Sequence, residues 1–353
     1  MNMSSLAQIN LRLETARFLS QAKPGYRLIR AGSFQNDNGK MARDVVEGLS
    51  RTAHKSLPSM YFYDSMGSSL YEQITHLPEY YPTRCEAEIL RTHALQLAQM
   101  LEAPIVTSSL VELGSGSASK TRILLDAWQA KKYPVTYIPI DVSENILLQS
   151  AQALSADYPA LKVIALAGCF EDCLQLLTPG PERLFLFLGG TIGNFTPGFQ
   201  NIFFMNLARQ MGTGAKLLVG FDRMPHAKKD VKKIEQAYND ATQVTAAFNR
   251  NILSCINKAL EGNFRLSAWQ HEAIYNEEKQ QIEMYLESTR FQRVHLGQVR
   301  KTFVFEPGER ILTEISRKFD PEELTDWFES IGYRCLANWT DPAELFGMLL
   351  LEI

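Results

Sequence analysis

The segment Leu-Val-Glu-Leu-Gly-Ser-Gly-Ser-Ala-Ser-Lys-Thr-Arg, Leu110 to Arg122, changes character twice. An apolar run (Leu110, Val111, Leu113) stops at Gly114-Ser115-Gly116. A polar stretch, Ser117 to Lys120, then opens a helix-like pattern with Ile123, Leu124, Leu125 and Trp128 on its apolar side. Strand, tight glycine turn and helix in that order form the first unit of a nucleotide-binding α/β domain. Glycine suits the turn because a side chain would keep a ligand away from the backbone, and because the turn can require positive φ. The third glycine of the dinucleotide pattern is missing, so a pyrophosphate cradle is not indicated.

Working outward, Val135–Ile140 is the next apolar run and ends at Asp141. An acid there can accept both hydroxyls of a ribose diol. It can equally cap the helix expected from Ser143-Glu144. Further strands are expected at Leu161–Ala167, Leu184–Leu188 and Leu217–Phe221, with helices at Ser119–Lys131, Glu144–Leu154 and Gly198–Gln210. Such alternation predicts a parallel sheet covered on both faces, with ligand at the strand C-terminal edge. The fourth strand runs into Gly189-Gly190-Thr191-Ile192-Gly193-Asn194-Phe195. That segment reads either as backbone clearing a ligand or as a plain loop with an Asx turn at Asn194. The acidic strand and glycine turn, Glu112 to Gly116, resemble the opening of an S-adenosylmethionine methyltransferase.

The bulk numbers set limits. The 353 residues, 45% hydrophobic and 21% charged, can fill one large domain or two. A formal charge of -3 gives no reason to expect nucleic acid or an anionic membrane as partner. No apolar run approaches the roughly 20 residues that span a bilayer, and Met1–Gln21 lacks a signal-peptide pattern. The five cysteines (Cys85, Cys169, Cys173, Cys255, Cys335) include no CxxC pair, which fits reduced cytoplasmic thiols. The six histidines show no metal-binding spacing, so no metal is expected.

Toward the ends, Met1 to about Lys55 is a weakly patterned lead with a Gly/Asn-containing stretch, Gly32–Gly39, and a short helix over Arg43–Leu49. Tyr61-Phe62-Tyr63-Asp64 precedes an amphipathic helix through Leu70, Ile74 and Leu77. Two prolines stiffen Leu77-Pro-Glu-Tyr-Tyr-Pro-Thr-Arg84, a segment suited to holding aromatic hydroxyls. Glu86 to Leu101 reads as a helix. Beyond Phe221 the pattern changes to a long helical stretch over Lys228–Leu260, with room for a break. Strand-like runs follow at His271–Tyr275, Gln281–Thr289, Phe291–Leu296, Lys301–Phe305 and Arg310–Ile315. A helix is signalled by Asp320-Pro321-Glu322, and the chain closes on Cys335–Trp339 and Phe346–Ile353. These later elements are expected to form a second α+β layer rather than more of the parallel sheet.

Several of these segments carry a resemblance: Tyr61–Asp64, Leu77–Arg84, Val111–Lys120, Asp141, Gly189–Asn194, Phe248–Asn251, Ile282–Met284 and Thr313–Phe319. From about residue 55 onward the chain resembles the histidine-specific Nα-methyltransferases of ergothioneine biosynthesis, which convert L-histidine to hercynine. The resemblance implies an α/β fold, a Rossmann-like methyltransferase core (parallel-dominated sheet, helices on both faces) with a second α+β substrate-binding domain. The expected division is 86–224 for the S-adenosylmethionine-binding core and 1–85 plus 225–353 for the substrate domain.

The resemblance also implies roles. Gly114 and Lys120 would lie at the methionine end of the cofactor, Asp141 on its ribose, and Cys169 and Phe170 at its adenine. Tyr63 would serve the α-amine as the catalytic residue, with Tyr80, Asn194 and Tyr238 around the carboxylate and amine. Glu314 and Ser316 would meet the imidazole, with Met284 packing beside the ring. Residues two apart on a strand share a face, and an acceptor beside a hydroxyl suits a ring with one N–H and one bare nitrogen. Without the resemblance, Thr313–Ser316 reads as an exposed strand face. In one place the chain departs from the family pattern: Gly168-Cys169-Phe170 replaces a Gly-Asp-Phe turn whose acid would accept from adenine.

The expected enzyme is a monomer acting in the cytoplasm on a small-molecule substrate, L-histidine. A rival of the same chemistry would methylate another amino acid, such as tryptophan or a derivative. A rival of another class is a binding protein that keeps the fold without turnover. A nucleic-acid methyltransferase is disfavoured by the absence of an Asn-Pro-Pro-Tyr segment and of a basic surplus.

Overall fold

The computed structural model describes residues 24–31, 38–100, 109–130, 136–180 and 183–353. The lead before residue 24, most of the Gly32–Gly39 stretch, and the outermost residues Leu101, Lys131 and Val135 of three expected elements lie outside the described residues. In chain order the elements begin with β1 (Gly25–Arg30), α1 (Asn38–Leu49), β2 (Lys55–Ser56), α2 (Ser65–Thr75) and α3 (Tyr81–Met100). Next come β3 (Ser109–Leu113), α4 (Thr121–Ala130), β4 (Thr136–Asp141), α5 (Glu144–Asp157), β5 (Lys162–Ala167) and α6 (Phe170–Leu174). They are followed by β6 (Arg183–Phe187), α7 (Pro197–Met211), β7 (Lys216–Asp222), α8 (Val231–Tyr238) and α9 (Val244–Leu260). The last are β8 (Trp269–Asn276), β9 (Gln281–Ser288), β10 (Gln292–Leu296), β11 (Lys301–Phe305), β12 (Arg310–Arg317), α10 (Pro321–Ser330), β13 (Arg334–Thr340) and β14 (Phe346–Glu352).

The chain forms two compact units. The first takes the described residues of Met1–Phe34 together with Arg84–Arg223 and Phe319–Ile353. Its sheet has eight strands in the order β1-β5-β4-β3-β6-β7-β14-β13. The strands from β1 to β7 run parallel, and β14 and β13 are added antiparallel. The inner strands are buried along nearly their whole length, as in sheets covered on both faces. On one face Val111, Ile138, Phe185 and Val219 pack with Phe203, Phe204 and Leu207 of α7 and Phe328 of α10. Thr196 and Asp320 cap the starts of α7 and α10, each followed by proline at the first helical position.

This sheet corrects the expected division at both ends of the chain. The N-terminal lead supplies β1, which pairs with β5. The C-terminal strands join β7 rather than a second layer. The signal in the sequence was Phe346–Leu351, a continuous apolar run without alternation, the pattern of a strand buried on both faces. Sequence order alone hid which sheet it joins.

The second unit comprises Gln35–Thr83 and Met224–Lys318, of which 38–83 and 224–318 are described. It holds a four-stranded sheet, β2-β12-β9-β8, and the β10-β11 hairpin. The long helical stretch is indeed broken, between α8 and α9. Asp240 causes the restart: its carboxylate accepts from Val244 N at 2.9 Å and Thr245 N at 2.7 Å, satisfying first-turn donors of α9. Helices α2 and α9 pack together, and Asn251 Nδ2 reaches Asp64 Oδ1 at 2.8 Å while that oxygen caps α2 through Gly67 N.

Candidate active site

In the first unit the β3–α4 turn has the conformation its glycines predict. Gly114 sits at φ +74, a region that disfavours residues with a Cβ, and its N–H goes to Ile140 O at 2.8 Å. A Cβ there would stand 3.7 Å from the Phe170 ring, so these two expected cofactor residues lie side by side. Asp141 Oδ2 accepts from Gly116 N at 2.9 Å, and Oδ1 from Ser143 N at 2.8 Å. One carboxylate thus ties the glycine turn to the start of α5. Each oxygen has two lone pairs, so acceptor capacity remains for a diol. Burial raises the Asp141 pKa against the lowering effect of these backbone donors. On β3, buried Glu112 accepts from Thr121 Oγ1 at 2.5 Å and from the Tyr137 hydroxyl. Burial outweighs both hydrogen bonds and lifts its pKa to about 7.

Glu86, on α3, is a residue that sequence reasoning missed. Fully buried, it accepts from Gly189 N at 2.8 and 2.9 Å and pairs with Lys120 Nζ at 2.5 Å. Lys120 was expected at the cofactor; its ammonium is held by Glu86, joining the first glycine turn to the second. Room for the carboxylate comes from Gly220, where a Cβ would lie 2.0 Å from Glu86 Oε1. Nothing in the helical pattern around Glu86 marks it. Gly190, at φ +67, then leads into a 3-10 turn over Thr191–Asn194. Among the described residues the Asn194 side chain makes no Asx hydrogen bond. Cys169 precedes α6 without a side-chain capping bond, and burial raises its thiol pKa to about 11. It is therefore a neutral and weak acceptor at neutral pH.

In the second unit the structure brings together most of the expected substrate residues. Glu314 on β12 faces Met284 on β9 as a direct cross-strand pair, and Ser316 lies two residues further along the same strand. The β12 irregularity falls between Leu312 and Glu314, so it leaves the Glu314–Ser316 spacing intact. Ser316 is buried and Glu314 only half-buried, so Thr313–Ser316 is not an exposed face. Tyr238, at the end of α8, meets Ser316 Oγ at 2.8 Å and stacks edge-on with Tyr80 at 6.1 Å between centroids. Burial, reinforced by Tyr71 and Tyr238, raises the Tyr80 pKa well above its ordinary value, which keeps that hydroxyl neutral. Tyr63 packs edge-on against Tyr71 at 5.9 Å and Phe248 at 5.8 Å. Asn194 belongs to the first unit.

A buried network supports these side chains. Asn249 Nδ2 donates to His271 Nδ1 at 2.8 Å and to Tyr285 O at 2.9 Å. His271 therefore carries its proton on Nε2, which donates to Tyr238 O at 2.8 Å. Asn249 Oδ1 accepts from Thr313 Oγ1 at 2.6 Å, next to Glu314. Burial lowers the His271 pKa, consistent with a neutral ring. Asn249 lies in a segment that the sequence singles out. His271 had no sequence signal, because a lone histidine in a strand is ordinary.

A parallel sheet with a glycine turn after β3 and an acid at the end of β4 has the layout of an α/β nucleotide-cofactor domain. A family model described as histidine-specific methyltransferase, SAM-dependent, matches residues 41–353, and the chain belongs to that family. It is 43% identical to a histidine N-alpha-methyltransferase of Mycobacterium tuberculosis, over 91% of this chain and 98% of that protein. An ergothioneine biosynthesis protein 1 of Schizosaccharomyces pombe is 31% identical over 80% of this chain but only 37% of its own. A 4-dimethylallyltryptophan N-methyltransferase of Aspergillus fumigatus is 30% identical over 84% of this chain and 89% of its own. Among the described residues no helix is long and apolar enough to cross a membrane, and no His/Cys/Asp/Glu group could hold a metal ion.

Proposed function

We propose that this chain transfers methyl groups from S-adenosylmethionine to the α-amino nitrogen of L-histidine, three times in succession, to give hercynine for ergothioneine biosynthesis. The observation that carries this reading is the β12 pair Glu314 and Ser316, with Met284 directly across from the carboxylate. An imidazole offers one N–H and one bare nitrogen, which an acceptor and a hydroxyl on one strand face can meet. The bound co-substrate supplies a sulfonium methyl already activated for displacement. The protein's contribution is position and electrostatics. Gly114, Asp141 and Phe170 hold the co-substrate, with Cys169 in place of the usual acid at the adenine, and Lys120 acts there through Glu86.

The α-ammonium must lose its proton before it can accept a methyl group. Neutral oxygens from Tyr63, Tyr80 and Tyr238, with Asn194 assigned by resemblance, favour that loss because none stabilises the charged form as a carboxylate would. They also let the nitrogen turn between successive transfers. A reducing compartment such as the cytoplasm fits the five free thiols, Cys85, Cys169, Cys173, Cys255 and Cys335.

A second reading, methylation of tryptophan or a derivative, has support in the fungal relative's activity. Against it, an indole has no bare nitrogen for Ser316. Titration calorimetry with L-histidine and L-tryptophan, in the presence of S-adenosylhomocysteine, separates the two: histidine alone should bind. Tyr63→Phe should then slow turnover at least about tenfold while histidine still binds.

A further inference from the structure

In the second unit the α9 segment Phe248-Asn249-Arg250-Asn251 faces two ways. Asn249 reaches His271 and Tyr285 on the β8–β9 side. Phe248 and Asn251, three residues apart and so on one helix face, meet instead the turn Phe62-Tyr63-Asp64. The Phe248 ring stacks on Phe62 at 4.5 Å between centroids and stands edge-on to Tyr63 at 5.8 Å. Asn251 is 7% exposed. Its Nδ2 donates to Asp64 Oδ1 at 2.8 Å and, in a longer contact of 3.4 Å, to Phe62 O. A carbonyl and an ionised carboxylate only accept, so the amide must turn its nitrogen this way.

One side chain therefore grips the residue before Tyr63 and the residue after it. The Tyr63 backbone makes an inverse γ-turn, at φ -91 and ψ 49, with Asp64 N donating to Phe62 O at 3.1 Å. The grip extends into α2, because Asp64 Oδ1 also accepts from Gly67 N at 2.8 Å. A Cβ at Gly67 would lie 1.7 Å from Phe62 O, so only glycine lets α2 start this close to the carbonyl that Asn251 holds. A phenolic oxygen stands at the end of a long rigid arm, and a small rotation of the backbone displaces it strongly. A misplacement of about 1 Å can cost about a hundredfold in rate.

We propose that Asn251 is a positioning residue for the methyl transfer: by clamping Phe62 and Asp64, it aims the Tyr63 hydroxyl at the α-amine. The inference rests on the reading that Tyr63 serves that amine.

The test is a double-mutant cycle on turnover of L-histidine, in wild type, Asn251→Ala, Tyr63→Phe and the double variant. Each kcat is referred to the number of folded sites titrated with S-adenosylhomocysteine. Asn251→Ala should lower kcat about fivefold or more while KM for L-histidine stays within about threefold. With the Tyr63 hydroxyl already removed, the same change should lower kcat by less than about twofold, because nothing remains to be aimed. Asn251→Ser, too short to hold the same two acceptors, should behave alike, and it carries the test alone if Asn251→Ala does not fold. An asparagine that only supports the fold would cost the same factor in both backgrounds. That result overturns the inference, as does an unchanged kcat in the folded Asn251 variant. If Tyr63→Phe alone leaves kcat unchanged, the assignment of Tyr63 falls and the inference falls with it.

Discussion

The two units organise buried polarity in different ways. In the first, carboxylates do the holding: Glu86 gathers a backbone N–H and an ammonium, Asp141 takes two backbone N–H groups, and Glu112 takes two hydroxyls. What Glu86 and Asp141 fix is backbone, namely the glycine turns that begin at Gly189 and Gly114. In the second, neutral groups form a chain from Thr313 through Asn249 and His271 to the Tyr238 carbonyl. What that chain fixes is the position and hydrogen-bond direction of side chains. A turn that must approach a cofactor needs its shape held, and a pocket that must distinguish rings needs its donors and acceptors held.

The contrast can be broken most forcefully at Glu86. Glu86→Gln keeps the shape but removes the charge facing Lys120. Breaking one half of a buried ion pair costs about 3–5 kcal/mol, reduced toward the lower figure because Lys120 keeps some contact with water. Urea denaturation should show that loss, together with weaker S-adenosylhomocysteine binding. A neutral result would mean that shape alone holds the Gly189 turn.

In the second unit the matching change is Asn249→Asp, which preserves shape but replaces the donors to His271 Nδ1 and Tyr285 O with acceptors. About 2–3 kcal/mol should be lost, the scale of buried partners left unsatisfied. Histidine affinity should fall more than cofactor affinity. Equal losses for both ligands would remove the distinction between the units.

The neutral character of that chain has a pH signature. The His271 pKa is lowered, first by burial and then by Arg250, while the Tyr238 carbonyl and Asp240 oppose the shift. The fold favours the uncharged ring. Its stabilising contribution is therefore complete above the ordinary histidine pKa of about 6.5 and is lost as pH falls through the depressed value, by at most about 1.4 kcal/mol per pH unit. Unfolding at several pH values should show this slope in wild type and a shallower one in His271→Gln. Identical slopes would remove His271 from the acid response.

The smallest expected effect is a gain. Cys169→Asp restores the acid of the family's Gly-Asp-Phe turn and should tighten cofactor binding by about 1 kcal/mol. Unchanged affinity would show that a neighbour already meets the adenine.

The same contrast explains what could be read beforehand. The strands, the glycine turn and the acid at Asp141 stand out because they follow period, composition and position along one strand–helix unit. Glu314, Ser316 and Met284 were legible only through resemblance, since a strand segment gives no sign of its cross-strand partner. Glu86 and His271 escaped notice because their roles depend on contacts between distant segments, and their own sequence neighbourhoods are ordinary. The sheet membership of β1 and β14 was hidden for the same reason. An apolar run announces burial but not the strand beside it.

The central claim is that Glu314 and Ser316 make this a methyltransferase for histidine. Its most direct test is to incubate the purified protein with S-adenosylmethionine and an equimolar mixture of the twenty amino acids, and to identify products by mass spectrometry. The account predicts trimethylated histidine as the sole methylated product. A different methylated amino acid, or no product, would contradict it.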